Sequence, residues 1–345
     1  MGKERTFIDL FCGAGGLSYG FEMVGLKPVF AIDNWQDALD TYNYNNPNGA
    51  TLCTDLSNID INKIDKDFNI KSVDIIIGGP PCQGFSLAGK RIIDDVRNKL
   101  YKSFVSFVDY YSPKVFVMEN VPNILSIGEG LVRKSIVADF TALGYSVQYK
   151  VLTASDYGVP QNRRRAFFVG VKDGAFSFPE PSVKDKVTVS QAINDLPENS
   201  IDDGSPYTCR EKSNYQRWAR SDSARIFNHE TTNHNEKTQR IISLVPDGGN
   251  YKDLPVELQD TRKVHIAWTR LSSNKPSITI DTGHRHHFHY RYNRIPTVRE
   301  CARIQSFPDN YIFLKSRTSQ YKQVGNAVPP LMAAAIAEEV KNVFQ

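Results

Sequence analysis

Over its first 170 residues the chain alternates short β-branched runs with helical patterns. Thr6–Phe11, Pro28–Asp33, Ala50–Leu56, Asp74–Gly79, Val115–Asn120, Ser146–Leu152 and Arg165–Val171 read as strands. Between several of them lie stretches with helical apolar spacing, Leu17–Val24, Ala38–Tyr44, Leu100–Tyr111 and Val132–Leu143. Such stretches supply the crossovers that parallel strands need, so the pattern predicts a doubly wound, Rossmann-like α/β sheet. From about Phe176 the texture changes to a polar stretch rich in Asn, His, Arg and Asp, and helical spacing resumes near Thr297. An Ala-rich amphipathic stretch, Val328–Val343, is entered through Pro329-Pro330 and reads as a terminal helix returning to the first domain. The division expected is a first domain over 1–198, a second over 199–315 and a returning segment over 316–345.

Composition changes this picture little. With 40% hydrophobic residues, the 345-residue chain can bury a large core and carry a smaller second domain. No apolar run reaches the length of a membrane span, and MGKERTFIDLFCG lacks a signal-peptide core, so a cytoplasmic protein is expected. Five scattered cysteines without a Cys-x-x-Cys pair suggest reduced thiols, with neither a disulfide framework nor a zinc site. The formal charge of +4 is mild, but its distribution is not. Residues 199–315 hold 18 Lys and Arg against 13 Asp and Glu, together with all 7 histidines, while the rest of the chain is close to neutral. A neutral body with a basic second segment suits a module that tracks phosphates.

Candidate chemistry lies where strands end. Phe7–Phe11 runs into Cys12-Gly13-Ala14-Gly15-Gly16, and Leu17 opens a helix. Glycines at such a junction let backbone approach a ligand closely. The next strand ends at Asp33, where a carboxylate can accept from ribose hydroxyls, and Asp55 follows the third strand, within reach of an adenine amino group. These features indicate an adenosyl cofactor. A dinucleotide enzyme is the rival, but Gly13-x-Gly15-x-x-Ser18 lacks the third glycine of that fingerprint. A plain structural turn is the other alternative.

The fourth strand leads into Gly78-Gly79-Pro80-Pro81-Cys82-Gln83-Gly84-Phe85-Ser86, so two prolines fix one thiol at the sheet edge. Isolated cysteines are usually inert. The fifth strand, however, ends in Glu119-Asn120-Val121-Pro122, bringing an acid to the same edge. A thiol and an acid facing one pocket point to nucleophilic and general-acid chemistry. The competing reading of Glu119 is an ordinary capping or ion-paired acid.

These residues resemble the cytosine-5 DNA methyltransferases of bacterial restriction-modification systems. The resemblance covers nearly the whole chain in the family's order: Phe11-x-Gly13-x-Gly15, Pro80-Pro81-Cys82, Glu119-Asn120-Val121 and Gln161-x-Arg163-x-Arg165 are followed by Arg294-x-x-Thr297-x-x-Glu300-x-x-Arg303-x-Gln305-x-Phe307-Pro308 and Gln323-x-Gly325-Asn326-Ala327-Val328-Pro329-Pro330. The resemblance implies S-adenosyl-L-methionine as cofactor, held by Phe11, Gly13, Gly15, Gly16, Leu17, Asp33, Asp55, Pro80, Asn326 and Ala327. It implies Cys82, Glu119, Arg163 and Arg165 as catalytic residues. Many relatives carry an aromatic residue directly after the ribose-binding acid; here that position is Asn34, with Trp35 one place on, so the role is carried over for Asp33 and not for Trp35.

The implied reaction begins with attack of the Cys82 thiolate on cytosine C6, which makes C5 nucleophilic enough to take a methyl group. Glu119 then meets N3 and the exocyclic amine, and Arg165 meets O2. A stacked base is out of reach, so base flipping from double-stranded DNA is implied. The loop from Gln83 through Ser86, Lys90, Arg91 and Arg97 offers small hinge residues and cations for DNA. In the second domain, Thr282–Arg291 crowds four histidines among arginines. A polar, phosphate-facing loop fits this run better than a metal site, making His284, Arg285 and Arg291 candidate DNA contacts. A monomer acting beside a cognate restriction endonuclease is expected. The rivals are a catalytically dead DNA-binding relative, disfavoured by Cys82 and Glu119, and a tRNA methyltransferase of the same family. The long second domain favours DNA.

Overall fold

A computed structural model of the chain describes residues 4–47, 49–70, 72–81, 98–259, 268–283 and 287–345. It divides into two compact units. The first comprises Met1–Thr153, Arg164–Glu180 and Met332–Gln345, and the second Ala154–Arg163 and Pro181–Leu331.

The first unit is built on a 7-stranded sheet of β1 (Thr6–Leu10), β2 (Lys27–Asp33), β3 (Ala50–Cys53), β4 (Ile75–Gly78), β5 (Val115–Asn120), β6 (Ser146–Thr153) and β7 (Arg164–Val171), in the order β3-β2-β1-β4-β5-β7-β6. The five strands from β3 to β5 are parallel, whereas β7 runs antiparallel to both β5 and β6. The sheet is thus doubly wound, as expected, and mixed at one edge. Residues 154–163 between β6 and β7 are too few for a crossover helix, which leaves antiparallel pairing as the accessible geometry. Strand order reverses at β1, flanked by β2 and β4, and in open α/β sheets ligands bind at such a switch point, beyond the carboxyl ends of the strands.

Helices α1 (Gly16–Met23), α2 (Gln36–Asn45), α4 (Asn98–Tyr111) and α5 (Leu131–Ala142) fall where the apolar spacing put them, to within two residues. One more, α3 (Ile61–Phe68), lies in a Lys/Asp-rich stretch with a single fully buried residue, Ile64, and its start is fixed by Asp60 accepting from the Lys63 amide. One face of the sheet packs Ile8, Leu10, Ile32, Ile76, Phe116 and Met118 against Phe104, Phe107 and Phe140. Burial of so many large apolar side chains makes this sheet edge a rigid platform.

The second unit is less regular and contains, among the described residues, four helices the sequence pattern did not predict, α6 (Val189–Ile193), α7 (Asn214–Ala219), α8 (Glu236–Leu244) and α9 (Val256–Gln259). Helical structure then resumes beyond Thr297, as expected, with α10 (Val298–Ile304) and α11 (Arg317–Asn326). Side-chain caps rather than long apolar stripes start several of these helices, including capping boxes at Thr188/Gln191 and Thr297/Glu300. Around α10 the interior is ionic. Arg294 makes a two-pronged pair with Glu300, 2.8 Å on each arm, and Arg303 pairs with Asp309 and Asp195. Buried charges persist only when paired and hydrogen-bonded in this way. The terminal helix, α12 (Pro330–Asn342), sends Lys341 Nζ to the Val24 carbonyl at the end of α1, 2.9 Å away. Among the described residues no helix is long and apolar enough to cross a membrane.

Candidate active site

Three strand ends of the first unit carry the predicted chemistry. After β1, Phe11, Gly13 and Gly15 all adopt positive φ, with Gly15 at 86° as the cap of α1. An L side chain would be strained there, which explains glycine at 13 and 15 and leaves Phe11 as a strained residue beside the site. Gly16 and Leu17 open α1. The Asp33 carboxylate, at the end of β2, accepts from the Gly13 amide through Oδ2 and from the Trp35 amide through Oδ1, both at 2.8 Å. Burial raises its pKa, opposed by those amides. Asp33 is therefore a clamp between the glycine loop and the start of α2, and a carboxylate with about four acceptor positions still has capacity for a diol. Asp55 is exposed and caps the turn Leu56–Asn58 through the Ser57 amide at 2.8 Å.

At the ends of β4 and β5 the geometry is tighter. Glu119 Oε1 accepts from Arg165 Nε at 2.7 Å, and both side chains are largely buried. They meet because Glu119 stands opposite Phe167 in the antiparallel ladder, and Arg165, two residues before it, lies on the same face one step along. A Cβ on Gly79 would come within 2.9 Å of Glu119 Oε2, so glycine there makes room for the acid. Asn120 donates through Nδ2 to the buried Pro80 carbonyl at 2.8 Å and accepts the Val121 amide at 2.9 Å, tying the entrance of the proline loop to the end of β5. This bridging asparagine was quoted within a motif but given no role by sequence reasoning. Cys82, Gln83, Ser86, Lys90, Arg91 and Arg97 lie outside the described residues, as do His284 and Arg285.

The remaining candidates belong to the second unit. Arg163 is buried, its guanidinium donating to the Ile280 carbonyl at 3.2 Å and the Gly325 carbonyl at 2.9 Å. Gln161 accepts the Ile280 amide at 2.8 Å and bonds Gln305. Asn326 ends α11 and is exposed, while the Ala327 carbonyl takes a bond from Gln305 at 2.6 Å. Arg291 is exposed, and its amide, with that of Tyr292, donates to His289 Nδ1, each at 3.0 Å. No group of His, Cys, Asp and Glu able to hold a metal ion is found among the described residues.

A seven-stranded mixed sheet with an adenosyl-type loop at its switch point, and an acid paired with an arginine two strands away, defines a methyltransferase-type α/β fold. Comparison with known proteins specifies the chemistry. The family model of the C-5 cytosine-specific DNA methylases matches residues 5–342, so the chain belongs to that family and is a DNA (cytosine-5)-methyltransferase. It is 42% identical to the type II methyltransferase M1.HphI of Haemophilus parahaemolyticus, over 97% of this chain and 86% of the relative. It is 38% identical to M.DdeI of Desulfomicrobium norvegicum, over 99% and 89%. A crystal structure described as a prophage-encoded DNA modification methyltransferase (E. coli) superposes with a TM-score of 0.84 at 29% identity, covering 99% of both chains. The family uses S-adenosylmethionine as methyl donor and DNA as substrate.

Proposed function

We propose that this chain is the modification enzyme of a type II restriction-modification system, acting as a monomer on a flipped cytosine within a specific duplex sequence. The reading is supported by relatives of that type matched over nearly their whole length. Residues 199–315 read the target, with Arg291 among the DNA contacts and Gln83, Ser86, Lys90, Arg91, Arg97, His284 and Arg285 as further candidates. A restriction endonuclease of the same specificity is the proposed partner.

Phe11, Gly13, Gly15, Gly16, Leu17, Asp33, Asp55 and Pro80 are the residues of the first unit that would hold S-adenosylmethionine. The fit rests on the positive-φ loop, open to backbone approach, and on Asp33, whose carboxylate is oriented by two amides before any ligand arrives. When bound, the cofactor supplies an electrophilic methyl group. Cys82 forms the covalent bond to cytosine C6 and later leaves as C5 loses its proton. Glu119 bonds N3 and the exocyclic amine, and Arg165 bonds O2. Arg163 holds the Ile280 and Gly325 carbonyls within the second unit. The observation that carries this assignment is the 2.7 Å Glu119–Arg165 pair, fixed beside the loop entrance by Asn120 and Pro80. Such preorganised charge stabilises developing charge without reorganisation during the reaction.

Duplex DNA with 5-fluorocytosine at the target tests the mechanism, because fluorine cannot leave as a proton. A denaturation-resistant adduct should form efficiently only with S-adenosylmethionine present, and Cys82→Ser should abolish it. Persistence of the adduct in that variant would overturn the nucleophile assignment. Transfer of labelled methyl groups to duplex DNA and tRNA, measured in parallel, separates DNA from RNA as substrate.

A further inference from the structure

The first strand carries a charged residue in an otherwise apolar run. Asp9 is fully buried, on the opposite face of β1 from Ile8 and Leu10. Its Oδ2 accepts from Ser18 Oγ at 2.5 Å, and Ser18 Oγ in turn accepts from Tyr42 OH at 3.1 Å. Oδ1, equally buried, has no hydrogen-bond partner among the described residues. The chain Tyr42–Ser18–Asp9 therefore links α2, α1 and β1. Those elements flank the two turns assigned to the cofactor, residues 11–16 and 33–35, which Asp33 joins through the Gly13 and Trp35 amides.

We propose that Asp9 is a positioning residue for S-adenosylmethionine, working as a neutral acid that holds both cofactor turns in place through Ser18 and Tyr42. The inference rests on the cofactor assignment above. Neither neighbouring acid favours ionisation: Asp33 lies on β2 and Glu22 on α1. Cys12, in the loop after β1, and Tyr42, on α2, also face it and bring no positive charge. Burial first, and then the two acids, push the Asp9 carboxyl up to about 8, against the Ser18 bond. Between neutral and alkaline pH the carboxyl would become an anion with an uncompensated buried oxygen and a second carboxylate nearby. The Ser18 bond favours that anion and is kept, but a buried charge with one oxygen unsatisfied is relieved by opening its surroundings to water, which loosens the packing of β1 against α1 and with it the glycine loop.

The test is equilibrium titration of the full-length protein with S-adenosylmethionine from pH 6.5 to 9.5, comparing wild type with Asp9→Asn. The ligand's own amino group titrates identically in both experiments, so the difference between profiles reports Asp9. Wild-type Kd should rise about fivefold to tenfold more than that of Asp9→Asn, whose amide is neutral throughout and can still accept from Ser18. In steady state at pH 7.5, Asp9→Ala should raise KM for the cofactor more than it lowers kcat, with Asp9→Asn restoring KM toward wild type. Parallel profiles for wild type and Asp9→Asn, or a loss confined to kcat, would overturn the proposal. Failure of the wild-type protein to bind S-adenosylmethionine at any pH would instead overturn the cofactor assignment. A lowered melting temperature in Asp9→Ala with unaltered KM would reduce Asp9 to a structural role.

Discussion

His289 should make the second unit acid-sensitive at a pH where most proteins remain stable. Its Nδ1 accepts from the Arg291 and Tyr292 amides, so the ring proton must sit on Nε2, which faces Glu300 Oε1 at 3.6 Å. Protonating Nδ1 would cost both amide bonds. Burial lowers the pKa most and Glu300 opposes it, while Arg294, Arg270 and His229 lower it further, from the usual 6.5 to about 4. The sign follows from proton counting: between these values the unfolded chain binds more protons than the native one. Stability contributed by the neutral ring is complete above about pH 6.5, is lost as pH falls toward 4, and amounts to about 3 kcal/mol by then. His229, also lowered by burial, adds to the loss with the same sign. His289→Asn places a carbonyl oxygen near the Nδ1 position while removing the titration. Of the 3 tryptophans, Trp218 and Trp268 lie in the second unit, so urea unfolding followed by fluorescence in a Trp35→Phe background reports that unit. The asparagine variant should lose less stability than its parent between pH 6.5 and 4, by an amount approaching that figure. Equal slopes for the two proteins would refute the tautomer and burial reasoning.

Arg165→Ala should lower kcat about a hundredfold or more, because it removes a donor positioned for the flipped base. S-adenosylmethionine affinity by equilibrium titration should change little, and the reverse pattern would move Arg165 into the cofactor site. Gly79→Ala puts a methyl group within 2.9 Å of Glu119 Oε2 and should displace that carboxylate from Arg165, cutting kcat at least about tenfold with the fold retained by circular dichroism. Wild-type turnover in that variant would show that the acid's position is not critical. Exchanging residues 199–293 for those of a relative with another target should redirect methylation, read by bisulfite sequencing. An active chimera with unaltered specificity would place recognition elsewhere.

The strands and the first-unit helices were legible because burial on one or both faces writes a periodic apolar code, as in Phe7–Leu10 and Val115–Met118. The antiparallel β7 was not, since a strand's direction leaves no trace in its own composition. Helices α6 to α9 escaped because they are short and held by caps such as Thr188, Ser213 and Asn235 rather than by long apolar stripes. At the site, Glu119 and Arg165 were found through motifs, yet neither periodicity nor spacing announced that they bond each other. Antiparallel pairing of β5 with β7 creates that contact. Asp9 carried a readable signal, an acid inside an apolar strand, but Ser18 lies 9 residues beyond it and Tyr42 a further 24, and the three are joined only by the fold.

The two acids at the sheet edge are prepared in different ways, and the difference follows from what each is proposed to meet. Asp33 takes its bonds from backbone amides, which orient its carboxylate toward neutral hydroxyls without a cation beside it. Glu119 is held by a guanidinium, which fixes its direction while supplying positive charge beside it. That pairing suits a ring whose N3 gains proton character as the thiolate adds and whose O2 gains negative charge. A guanidinium has five donors, so Arg165 can keep its Nε bond to the acid and still offer others to the oxygen. Replacing it by lysine would keep the charge but not the planar fork, and the geometry therefore requires arginine at 165.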